Sequence, residues 1–147
     1  MAMFMRVTGA WTSLLSDWLD RERMAAPHLR ARLAAYTPDD IVPITAWREL
    51  LEQTAQLRPD VSNLGLQIGS GVEPRHVGVL GYLVLACDHL AEAMLAYQRY
   101  ERLFYGLDLA QVSVDPKLVE IRWEPSDQGS IAEQLSMTAL VIGMPLA

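Results

Sequence analysis

Residues 76–100 read HVGVLGYLVLACDHLAEAMLAYQRY, from His76 to Tyr100, and their pattern decides most of the architecture. From Val77 to Ala86 every position is apolar or glycine, so this segment is expected to be a helix buried on all sides. Cys87-Asp88-His89 breaks it. Asp88 or His89 then caps a second helix, with Glu92 spaced to return a hydrogen bond to the turn. Leu90, Met94, Tyr97 and Phe104 recur at helical spacing and mark its inner face; Glu92, Arg99 and Arg102 lie off that stripe. Gly106 is the expected stop.

Working outward toward the N-terminus, helical periodicity continues. Trp11, Leu14, Leu15, Trp18 and Leu19 place one apolar face on a helix over 8–22, with Thr8 as its expected cap. Met24 to Tyr36 forms a shorter helical piece beginning near Pro27. Residues 37–40 (TPDD) form a turn. Pro43 opens a helix whose buried stripe is Ile44, Trp47, Leu50, Leu51 and Ala55, and Arg58-Pro59-Asp60 ends it. Val61 to Ile68 is a short helical segment closed by Gly69, Gly71 and Pro74.

Toward the C-terminus the period changes to two. Leu109 to Val114 and Val119 to Trp123 alternate, as half-buried strands do. A four-residue loop, Asp115 to Leu118, sets Val114 opposite Val119, Val112 opposite Ile121 and Ala110 opposite Trp123. This apolar face needs a helix beneath it. Pro125 to Gly129 is a second loop. Ser130 begins a last helix with Ile131, Leu135, Thr138 and Ile142 on one face. The expected fold is α+β and mainly α: packed helices with a small antiparallel hairpin or sheet.

Composition narrows the function. The chain has 147 residues, enough for one domain with a real core. Hydrophobic residues at 51% and charged residues at 20% exclude a disordered chain. The net charge of -6 opposes unaided nucleic-acid binding, which needs clustered Lys and Arg. Cys87 is the single cysteine, so no intrachain disulfide forms and a cytoplasmic setting is the simplest. No apolar stretch reaches the roughly 20 residues of a membrane span.

No catalytic or metal-binding motif emerges, so no enzyme, cofactor or metal is expected. His28, His76 and His89 are scattered and lack ligand spacing. Cys87 beside Asp88 is disfavoured as a thiolate and reads as a packing residue. Gly69-Ser70-Gly71 follows no strand, which excludes a phosphate loop. Gly78 and Gly81 are expected to admit a neighbouring helix. The 76–100 pair has a helix-turn-helix outline, yet its second helix carries an apolar face where a DNA reader presents polar side chains. One cluster combines rings, hydroxyls and a cation: Tyr82, Tyr97, Arg99 and Tyr100, with Arg102 and Tyr105 nearby. Such a set suits a small-molecule pocket, with Arg99 available to an acidic ligand.

Four stretches together carry a resemblance: Asn63 to Gly69 (NLGLQIG), Gly78 to Tyr82 (GVLGY), Leu90 to Ala93 (LAEA) and Tyr97 to Tyr100 (YQRY). They are similar to the N-terminal, effector-sensing, arabinose-binding-type domain of AraC-family bacterial transcriptional regulators, most closely over residues 61–105. Where that family turns through Ser-Ser-Pro-Thr, this chain has Ala86-Cys87-Asp88-His89, while Glu92 stays. The resemblance implies one sensing and dimerisation domain, a small-molecule effector, a homodimer, and DNA binding through a separate C-terminal helix-turn-helix domain. Such regulators are longer, so residues 1–147 are expected to be a piece of the sensor domain without that DNA-binding domain. Two other readings stand beside it: an oligomerisation module without ligand, and a small enzyme.

Overall fold

The computed structural model describes residues 6–77, 79–105, 110–123 and 130–143. Helix α1 (Ala10–Arg21) buries Trp11, Leu14, Leu15, Trp18 and Leu19 on the expected face. Helix α3 (Ile44–Leu57) buries Trp47, Leu50, Leu51 and Thr54, the apolar three in the same core cluster. Trp18 and Trp47 are among the largest fully buried side chains. Burying an apolar side chain of this kind contributes on the order of 1.5–3 kcal/mol over leaving it exposed.

The start of α1 differs from expectation. Thr8 belongs to strand β1 (Arg6–Thr8), which pairs antiparallel with β2 (Ile41–Pro43), Thr8 facing Ile41. Its backbone is committed to the ladder, so Thr8 does not cap the helix. Gly9 takes the cap position without a side-chain bond, and its N–H donates to the Asp40 carbonyl at 2.8 Å. A Cβ on Gly9 would overlap the Thr37 carbonyl oxygen, so only glycine lets the 37–40 turn close here. That turn forms as expected, with the Asp40 carboxylate accepting the Thr37 N–H at 2.7 Å.

Helix α2 (Pro27–Ala34) is shorter than the 24–36 expected. Arg23 (φ 54°) and Ala26 (φ 36°) take left-handed backbone, which a helix cannot pass through. The Arg30 side chain secures this turn by donating to the Met24 and Ala25 carbonyls and to the Asp20 carboxylate. Beyond α3, Arg58 forks onto Asp60 at 2.9 and 3.0 Å, reaches Glu22 at 3.0 Å and lies over the Trp18 ring.

Helix α4 (Leu64–Gly69) packs on α8 (Ser130–Gly143). Gly65 and Gly69, one turn apart, make the contact. A Cβ on Gly69 would come within 2.6 Å of the Leu135 carbonyl oxygen, and one on Gly65 would overlap that of Ile131. The Gln134 side chain accepts the Leu66 N–H at 3.0 Å. So close an approach changes the buried face of α8: Ala132, Leu135 and Ala139 are inside, while Ile142, expected there, is 54% exposed. Gly65 and Gly69 thus form a close-approach pair; the pair expected at Gly78 and Gly81 falls on Gly78, which lies outside the described residues.

Helices α5 (Pro74–Val77), α6 (Val79–Leu85) and α7 (Leu90–Tyr105) follow. The expectation of all-round burial from Val77 to Ala86 is overturned. Val84 is buried, but Tyr82 is 58% and Leu85 46% exposed. The cause is geometric: α6 packs on α5 and α7, so only part of its circumference is covered.

Strands β3 (Ala110–Val114) and β4 (Val119–Trp123) form the hairpin in the expected register, Val114 to Val119, Val112 to Ile121 and Ala110 to Trp123. Asp115 organises its loop: the carboxylate accepts the Lys117 and Leu118 N–H groups, both at 2.8 Å. Val112, Val119 and Ile121 pack against the core, and β3 lies on α7. Val114, at the loop end of that face, stays 41% exposed. The fold is therefore mainly-α α+β, with two small antiparallel sheets among the described residues. Gly106 and Pro125 to Gly129, read as a stop and a loop, lie outside the described residues.

Candidate functional site

Of the residues singled out by sequence, Tyr82 lies on α6, and Tyr97, Arg99 and Tyr100 lie on α7 about two to three turns beyond the α6–α7 joint. The turn at that joint is fixed by a reciprocal cap. The Glu92 N–H donates to His89 Nδ1 at 3.2 Å, and the Asp88 N–H donates to the Glu92 carboxylate at 3.1 Å. His89 is thus the capping residue, a ring nitrogen serving where a hydroxyl or carboxylate oxygen commonly does. Cys87 is half-buried, its thiol directed at the Leu83 carbonyl. Burial, with the charges of Glu92 and Asp88, pushes the thiol pKa up, away from nucleophilic use.

Along α7 the inner stripe is Ala93, Met94, Tyr97 and Glu101. Tyr97 is buried and Tyr100, beside it, half-buried. Arg99 lies on the outside, about 160° round the helix from Tyr97 at 100° per residue, and its guanidinium sits 5.7 Å from the Tyr100 ring centre. Tyr82 stands exposed on α6. The four residues therefore run from core to surface, with Arg99 and Tyr100 in direct contact. The side chains of Arg102, Phe104 and Tyr105 lie outside the described set.

Glu101 is fully buried, which the apolar stripe alone did not anticipate. A second cluster was equally hidden from sequence. His76 of α5 is 1% exposed, and its Nε2 lies 2.7 Å from Asp17 Oδ2 on α1. Its Nδ1 accepts the Glu73 N–H at 2.9 Å, so the neutral ring carries its proton on Nε2 and donates it to Asp17. Arg75 bridges Asp17 and Glu73. Burial lowers the His76 pKa, against the opposing pull of the Asp17 hydrogen bond. Burial would raise Asp17, but hydrogen bonds from His76 and Arg75 hold its carboxyl below the ordinary value. Both imidazole nitrogens are hydrogen-bonded, so the cluster ties α5 to α1.

Among the described residues, no group of three or more His, Cys, Asp or Glu side chains is placed to hold a metal ion. No described helix is long and apolar enough to cross a membrane.

Comparison with known proteins found no match among curated proteins and none among solved structures. A family model does match, over residues 19–146; its description is the N-terminal arabinose-binding domain of AraC transcription regulators. The match spans α2 through α8, including the Gly65–Gly69 contact, the α6–α7 joint and the hairpin. The chain belongs to the family of N-terminal arabinose-binding domains of AraC-type transcription regulators.

Proposed function

We propose that this chain senses a small-molecule effector, forms a homodimer, and so controls DNA binding by a separate helix-turn-helix domain. It acts as a regulatory module and not as an enzyme, in the bacterial cytoplasm. The observation that carries this reading is the family match over 19–146. Helices α6 and α7 add the local chemistry. Tyr97 and Tyr100 supply rings and hydroxyls between core and solvent, and Arg99 supplies a cation for an acidic group. Tyr82 completes the candidate set from the neighbouring helix. Control requires that the effector favour one of two domain states, because a ligand with equal affinity for both shifts nothing.

A thermal-shift screen of the 147-residue chain tests the sensing role. Arabinose, the sugar in the family description, and a panel of small carboxylic acids are the first probes. A true effector at 100 times its Kd stabilises by about 2.7 kcal/mol. The reading without a ligand, a pure oligomerisation module, draws on the exposed Tyr82, Leu85 and Leu95. It expects self-association with no compound raising the midpoint.

A further inference from the structure

Helix α5 is held to α1 chiefly by one side chain. His76 is the only buried residue of α5, and Val77 is half-buried at the margin of the core. Arg75 also reaches Asp17, but its side chain is 51% exposed, and exposed ion pairs hold little. The two contacts of the His76 ring both need a neutral imidazole. Nδ1 accepts the Glu73 N–H at 2.9 Å, and Nε2 donates to Asp17 Oδ2 at 2.7 Å. A further proton would sit on Nδ1, head-on to the Glu73 N–H. Two donors would then face each other inside the protein with no acceptor between them. Two cations would also converge on one oxygen, because Arg75 donates to the same Asp17 Oδ2. The other charges around the ring are few. Asp17 and Glu73 favour a charged ring and Arg75 opposes it, and Arg75 Nε already occupies the Glu73 carboxylate at 2.8 Å. Arg21, one turn beyond Asp17 on α1, lies against Gly71 and adds no anion. Helix α6, which also packs on α5, carries no ionisable side chain except the exposed Tyr82.

We infer that His76 is a proton-operated latch: one proton on its ring frees α5, and with it the start of α6, from α1 while the rest of the core stays closed. Helix α1 keeps its place without α5, because Leu14, Leu15, Trp18 and Leu19 hold it in the shared core cluster. Helix α4 stays on α8 through Gly65 and Gly69, and α6 stays on α7. The segment that moves is therefore short, centred on residues 73–77. The latch is closed near neutral pH and opens in acid. Burial lowers the pKa of the ring in the closed state, and an open ring returns to about 6.5. Between those two values release takes up one proton, so opening gains about tenfold per pH unit. The segment leads directly into α6, which carries Tyr82. In the sensing reading above, the latch gives the domain a second input, the proton. Its test uses no effector, so its failure would leave that reading untouched.

Amide hydrogen exchange followed by NMR tests this on the 147-residue chain, from about pH 7.5 to about pH 5, with each rate corrected for the intrinsic effect of pH. Two amides report on the latch. The Glu73 N–H donates to the ring itself, and the His76 N–H donates to the Glu73 carbonyl at 2.9 Å. Their opening should be constant above about pH 6.5 and rise about tenfold per pH unit below it. The Leu50 and Leu51 amides of α3 should keep their protection. In H76Q, whose side chain does not titrate in this range, the rise at Glu73 should vanish. Constant opening at both reporters in the unaltered chain would overturn the latch. An equal rise at Leu50 and Leu51 would overturn it too, since the whole domain would then be opening. So would a rise that persists in H76Q. Should H76Q not fold, the ring nitrogen shifts of His76 in the unaltered chain decide. They must titrate over the pH range in which the reporters open, and a ring that stays neutral through that opening would overturn the inference.

Discussion

His76 and Asp17, 59 positions apart, meet through a 2.7 Å hydrogen bond that fastens α5 to α1. The bond depends on an imidazole kept neutral, since Nδ1 already accepts the Glu73 N–H. Protonation must break that contact and charge a buried ring. The His76 pKa is lowered in the fold by burial, so the unfolded chain takes up the proton first. Its contribution is present above the unfolded value of about 6.5 and declines as pH falls below it. Asp17, also lowered, loses its own contribution at more acid pH, below the ordinary value of 3.8. Urea midpoints should fall between pH 7.5 and 5.5, and H76Q should flatten that dependence. An unchanged slope in H76Q would assign the acid sensitivity elsewhere.

The α4–α8 contact tolerates no side chain at Gly69. Gly69→Ala should destabilise by about 1–3 kcal/mol, the usual cost of overpacking against backbone that cannot move. Gly71→Ala is the contrast: the nearest atoms to its Cβ belong to the Arg21 guanidinium, the end of a flexible side chain. Chemical denaturation of both variants should rank G69A well below G71A. Equal midpoints would mean that α8 moves freely away from α4.

At the α6–α7 joint, Glu92→Ala removes the acceptor of the Asp88 N–H and should cost about 1 kcal/mol. Glu92→Gln retains an acceptor oxygen and should cost less. Hydrogen exchange should rise at the first turn of α7 in E92A, with β1 and β2 unaffected. Uniform loss of protection throughout the chain would contradict a local cap.

These cases separate what the sequence displays from what it conceals. The hairpin register was legible because side chains alternate with period two and Asp115 to Leu118 leaves one loop length that matches apolar to apolar. The Glu92 cap was legible because capping is local. Helix α1 was legible in its apolar face but not in its start, where a three-residue strand claims Thr8 through pairing with Ile41, far along the chain. Burial around α6 was misjudged because an all-apolar segment does not reveal how many neighbours it has; Tyr82 and Leu85 remain outside. Gly69 reads as turn punctuation and Gly65 as one position of a short helix; only the tertiary fold sets α8 against both. The His76–Asp17 pair joins residues with no shared pattern, and Glu101 sits at the end of an apolar stripe that did not mark it. Of the candidate effector residues, the periodicity placed Tyr97 inside and Arg99 outside, and the structure adds the stacking of Arg99 on Tyr100.

In the reading proposed above, a small molecule binds against Tyr97, Arg99 and Tyr100 of α7. Isothermal titration of the compound that most raises the thermal midpoint tests it most directly, on the unaltered chain, Y100A and R99A, with exposed Lys117→Ala as the control. Saturable one-site binding is predicted, unchanged in K117A and at least about tenfold weaker in Y100A, a loss of about 1.4 kcal/mol, as expected of a residue that anchors the ligand. R99A should weaken acidic ligands most. No saturable heat from any compound, or equal affinity in all four proteins, would contradict the account.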